Sequence, residues 1–145
     1  MRTLHFLSTI LTFSLLLFSC NKEAMKIEED QEEQIEDLKI LDGTYTGIFT
    51  VHYSSVTKTG PVTLEINNGK YNCSGNLNRI PAGGWGTFLT KMGTITFNGM
   101  GAWSADFDGN LVLHGQYKYT LDSNKLTISA AKNAIGQYEY NLKKN

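Results

Sequence analysis

Surplus positive charge, cysteine and catalytic signatures are all scarce in this chain, and each scarcity excludes something. Thirteen Lys and Arg stand against fourteen Asp and Glu, for a net charge of −1. No basic field therefore exists to hold nucleic acid or an anionic membrane surface. Two cysteines, Cys20 and Cys73, are too few for the dense disulfide framework of a small secreted scaffold. His52 and His114 fall on outward-facing positions of segments far apart in sequence. Neither has a cysteine or carboxylate at ligand spacing, so no metal and no other cofactor is expected. Asp106-Phe107-Asp108-Gly109-Asn110 has the look of a calcium loop, but Tyr117 stands where such a loop needs its bidentate Glu. Gly-x-Ser-x-Gly, a phosphate-cradling loop and HExxH are all missing. Asp106 and Glu65 take outward parity, which leaves no buried acid pair with separated pKa values. The expectation is a protein that is not an enzyme.

Long hydrophobic runs are also rare. Leu4 to Phe18 follows the positive charge of Met1-Arg2 and is too brief for a comfortable membrane span, which is the pattern of a secretory signal. At its end, Leu17-Phe18-Ser19-Cys20 places an aliphatic residue three before a cysteine and a small residue directly before it. This resembles the lipobox of bacterial lipoproteins. The resemblance implies residues 1–19 as a signal peptide removed after Ser19, with Cys20 acylated by palmitate-type chains. One acyl chain binds a membrane only marginally and two or more anchor stably; the three chains of such lipoproteins imply permanent attachment. Asn21 stands where Asp would imply inner-membrane retention, so the outer membrane is expected, facing the periplasm or the surface. With Cys20 acylated, Cys73 stands alone on an apolar face, as a buried thiol does. Residues 20–40 then form an acidic tether rich in Glu, Asp, Gln and Lys, without the heptads of a coiled coil.

From Gly43 the pattern changes to period two. Tyr45, Gly47, Phe49, Val51 and Tyr53 alternate with Thr44, Thr46, Ile48, Thr50 and His52. Successive side chains of an extended chain face opposite ways, so one face meets a core and the other meets water. The alternation returns at Val62–Ile66, Tyr71–Cys73, Ile95–Phe97, Trp103–Phe107, Leu111–Leu121, Leu126–Ile128 and Tyr138–Leu142. Turn chemistry fills the gaps: Asn67-Asn68-Gly69, Asn98-Gly99, Asp108-Gly109-Asn110 and Asp122-Ser123-Asn124. About eight strands joined by short turns predict an all-β antiparallel meander over residues 41–145. A sandwich and a closed sheet both bury one face per strand. Consecutive hairpins favour closure into an up-and-down β-barrel, which also removes exposed edges.

Leu41-Asp42-Gly43-Thr44-Tyr45-Thr46-Gly47 opens this domain, and Tyr119-Thr120-Leu121-Asp122-Ser123-Asn124-Lys125-Leu126-Thr127-Ile128 and Tyr138-Glu139-Tyr140-Asn141-Leu142 close it. These stretches resemble the ends of lipocalin-like and streptavidin-like small barrels, including small lipocalin-like lipoproteins. The resemblance implies a barrel that holds a small, partly apolar ligand without catalysis. Inward parity assigns Tyr45, Tyr71, Trp103, Tyr117 and Tyr138 to the lumen, where they either line a small-molecule site or fill the space. The glycine-rich segment Gly75 to Gly93 has two readings. It is a loop over the barrel mouth that brings Arg79, Trp85 and Phe88 to the ligand, or a further strand with a glycine bulge and Trp85 as a core plug. The expected partners are thus the membrane, through Cys20, and a small apolar ligand; a filled barrel would instead show its outer surface to a protein or glycan partner.

Overall fold

The structure is a computed structural model that describes residues 39–103, 106–132 and 136–145. The expected signal peptide, Cys20 and all but the last two residues of the tether lie outside the described residues, as does Ala105. Eight antiparallel strands follow one another in chain order: β1 (Gly43–His52), β2 (Thr57–Asn67), β3 (Lys70–Cys73), β4 (Gly84–Lys91), β5 (Thr94–Gly99), β6 (Gly115–Asp122), β7 (Lys125–Lys132) and β8 (Gly136–Lys144). Each strand pairs with the next, and β8 returns to pair with β1, so the sheet is a closed up-and-down barrel. The closing register sets Phe49 opposite Tyr140 and Gly47 opposite Leu142.

Period two is the cause. In β1, Tyr45, Phe49 and Val51 are buried while Thr44, Thr46 and His52 are exposed, and β2, β4 and β8 repeat the alternation. A register slip by one residue would turn every apolar side chain to solvent, so the pattern fixes the pairing. At one rim the strands join by tight turns. Asn68 and Gly69 both have positive φ (47° and 74°), as do Met92 and Gly93 (48° and 72°). Two consecutive positive φ angles twist a hairpin in the sense its strands require.

The opposite rim carries the longer connections. The β5–β6 connection departs from the sequence expectation: Trp103, Asp106 and Phe107 lie outside the strands, and β6 begins only at Gly115. Asp108 instead caps a single 3-10 turn, Gly109–Leu111, by accepting from the Asn110 backbone N–H. Leu111, Val112 and Leu113 are all buried although they are consecutive. That is impossible on a two-faced strand and natural for a segment laid across the end of a barrel. Leu113 N–H donates to Gly83 O (2.8 Å) and Ala82 N–H to Leu111 O (2.9 Å), stitching this segment to the β3–β4 connection. Tyr53 Oη and Tyr138 Oη each donate to Asp108 Oδ2, at 2.8 and 2.9 Å. Asn98-Gly99, read above as a turn, is the end of β5.

Candidate functional site

The lumen is the place to look first, and side chains occupy it. Tyr45, Tyr71, Tyr117 and Tyr138 all point inward and are buried, as is Phe88. Ring contacts run across the interior in a chain: Phe49 to Tyr140 (4.6 Å between centroids), Tyr140 to Tyr117 (6.1 Å), Tyr117 to Phe97 (5.8 Å) and Phe97 to Tyr71 (4.7 Å). Offset and edge-to-face rings at these distances are packed against one another. Most of the inward hydroxyls also have partners within the protein. Tyr45 Oη donates to Leu41 O (2.9 Å), Tyr71 Oη to Leu113 O (2.6 Å) and Tyr138 Oη to Asp108. The Tyr117 and Tyr140 hydroxyls lie close together, with no other partner in this aromatic chain. Burial, and secondarily Cys73, pushes the Tyr71 phenol up to about 12. The buried Cys73 thiol is likewise pushed up to about 12, which makes it a poor nucleophile.

The remaining predicted residues are elsewhere. The second reading of Gly75–Gly93 describes its backbone: β4 runs through it. Trp85, however, is no core plug. Gly84, Gly86, Phe88 and Thr90 face inward, so Trp85 faces out and is 48% exposed. Trp103, expected in the lumen, sits in the β5–β6 connection and is 45% exposed. Trp103 itself lies outside any strand, and its indole folds back over Gly101 and edge-on to Phe107. Arg79 is also outside, paired with Asp106 at 2.8 Å and lying over the Phe107 ring. Both charges of that pair are half exposed or more, so it orients the loop more than it stabilises it.

Trp85 and Trp103 nevertheless come together, on the flank of the barrel. β5 and β6 are paired from Thr94↔Lys118 to Phe97↔Gly115 and then part. Beyond that point Asn98 and Gly99 remain paired to β4 alone. The parting opens a cleft of about 510 Å³ lined by the two tryptophans, by Gly99, Gly101 and Gly115, and by Asn98 and His114. That volume lies in the range of small-molecule sites. Phe97 and Val112 complete the lining, and where the glycines stand a flat guest can approach the backbone. Burial and the nearby Lys132 ammonium lower the His114 pKa, so His114 is neutral at neutral pH. The Lys132 ammonium donates to His114 O and stands 4.2 Å from the Tyr117 ring centroid. Its own burial lowers it to about 8.

Among the described residues, no group of three or more His, Cys, Asp or Glu gathers to hold a metal. Sequence reasoning missed Asn98, Gly99 and His114 as cleft residues. The arithmetic that the sequence does offer concerns Trp85 alone: Trp85 and Phe88 are three apart, so a strand cannot turn both inward. The chain has no significant match among protein-family models, curated proteins or solved structures.

Proposed function

We propose that this protein is a non-catalytic binding module of the bacterial cell envelope, related in plan to small lipocalin-like lipoproteins and anchored to the outer membrane through an acylated Cys20. Its ligand is small, uncharged and partly apolar, and it is held on the flank of the barrel rather than inside. One observation carries this reading: two half-exposed tryptophans from separate segments line one glycine-rich cleft. Large aromatic side chains left in solvent are costly unless they meet a partner, and they dominate the energetics of recognition where they do. The ring-packed lumen supports the same choice, because a guest there would have to displace well-packed aromatic side chains.

Two measurements test the proposal. The neutral fluorophore N-phenyl-1-naphthylamine should bind the purified full chain with enhanced emission. Trp85→Ala should weaken it about tenfold or more, a loss of the size that a truncated aromatic anchor gives. No binding, or binding indifferent to Trp85, would overturn the cleft. For the anchor, Cys20→Ala should move the protein from the membrane fraction to the soluble fraction; unchanged fractionation would overturn acylation.

A further inference from the structure

We infer that the Trp85–Trp103 cleft binds an uncharged glycan, with one pyranose ring set against the indoles and neighbouring sugars running along the outer face of β3 to β6. This deepens the cleft reading above and rests on it. The first argument is charge. The cleft is lined by indoles, glycines, Phe97, Val112, the Asn98 amide and a neutral His114, with no ionic side chain among its lining residues. A carboxylate, phosphate or ammonium drawn in here would shed water without meeting a counter-charge among the lining side chains, and the nearby Lys132 ammonium is already engaged by His114 O and the Tyr117 ring.

The second argument is the mixture of surfaces. A purely apolar guest such as a fatty acyl chain would cover the Asn98 amide and leave its hydrogen-bonding groups without water or partner. A pyranose ring has both kinds of surface. Its axial C–H bonds make an apolar face that lies flat on an indole, and its hydroxyls project from the edge to amide and imidazole groups.

The third argument is what surrounds the cleft. Asn72 on β3 lies directly opposite Trp85, and Asn98 on β5 opposite Thr87. Gln116 on β6 lies opposite Thr96 on β5. Asn72, Asn98 and Gln116 share the outward face with Trp85 and are exposed. Amide side chains offer both donors and acceptors, which suits a polyol. The strip crosses four strands (β3 to β6), roughly 14 Å at the usual spacing between strands, which is more than one sugar ring needs.

The test is a titration of intrinsic tryptophan emission in the purified full chain. Cellohexaose, maltohexaose, mannohexaose and chitohexaose serve as neutral oligosaccharides, with oligogalacturonate as an acidic one. The expected result is a saturable shift with at least one neutral oligosaccharide, weakened about tenfold or more in Trp85→Ala. In the amide variant Asn98→Ala, whose change is solvent-facing and leaves the fold intact, the same affinity should fall severalfold. Oligogalacturonate should give no saturable shift. No response to any neutral oligosaccharide at millimolar concentration overturns the proposal, as does a response that Trp85→Ala and Asn98→Ala both leave unchanged. If N-phenyl-1-naphthylamine then still binds in a Trp85-dependent way, the glycan is wrong and the cleft stands. If neither binds, both fall.

Discussion

Asp108 shows how much a single carboxylate can hold in place. It caps the 3-10 turn and accepts both the Tyr53 and Tyr138 hydroxyls, so three separate segments meet on one side chain. Burial alone would raise its pKa, but the hydrogen bonds from Asn110, Tyr53 and Tyr138 outweigh it and hold the carboxyl below its usual value. A folded-state pKa below the unfolded one makes a stabilising contribution that is complete above the unfolded value, about 3.9, and is lost as pH falls through the folded value. Asp108→Ala should cost about 1–3 kcal/mol at neutral pH, the sum of a lost cap and orphaned hydroxyls. Asp108→Asn keeps an acceptor and should lose less, while flattening the acid limb of stability against pH. Urea unfolding of the three chains from pH 3 to 7 checks both. An Asn variant with an unchanged acid limb would show that the carboxylate is not the group being titrated. Nothing in the sequence around Asp108 announced this role; Asp108-Gly109 has the signature of a hairpin turn, and only the two distant tyrosines make it a junction.

At the level of the strand, legibility followed length. β1, β2 and β8 could be read from alternation alone because each is nine residues or longer, enough for the period to repeat. β4 was harder, because glycine fills two of its inward positions, Gly84 and Gly86, and leaves no apolar residue there to count. The β5–β6 connection misled for a different reason. Leu111 and Leu113 have the right spacing for a strand, but the buried Val112 between them shows that the segment crosses the end of the barrel instead of joining its wall. The cleft was illegible for that reason, since it exists only because β5 and β6 part early. Closure of the sheet rests on another glycine. A Cβ at Gly47 would lie 2.0 Å from Asn141 O across the β1–β8 pair, a contact that no side chain tolerates. Gly47→Ala should therefore part the closing strands locally and cost about 1–3 kcal/mol, as overpacking does. A lowered urea midpoint together with faster amide exchange in β8 is the expected result, and an unchanged midpoint would contradict the tight approach.

For the molecule as a whole, the sequence carried the closed barrel and the candidate aromatics, but not whether the lumen was lined or filled. That depends on how rings from opposite walls meet, which no one-dimensional pattern records. The packing makes a prediction of unequal losses. Tyr140 Oη is fully buried with only the Tyr117 hydroxyl beside it, so Tyr140→Phe should change stability by well under about 1 kcal/mol. Tyr71 Oη is bonded to Leu113 O, so Tyr71→Phe should lower it by about 1 kcal/mol. Thermal melts of the two variants decide it, and equal losses would refute the distinction.

A wall propped from within by its own rings needs no guest to hold it open. The side chains proposed to meet a partner, Trp85 and Trp103 among them, stand outside that prop. New specificities can then be tried there one side chain at a time, while the drum underneath keeps its shape.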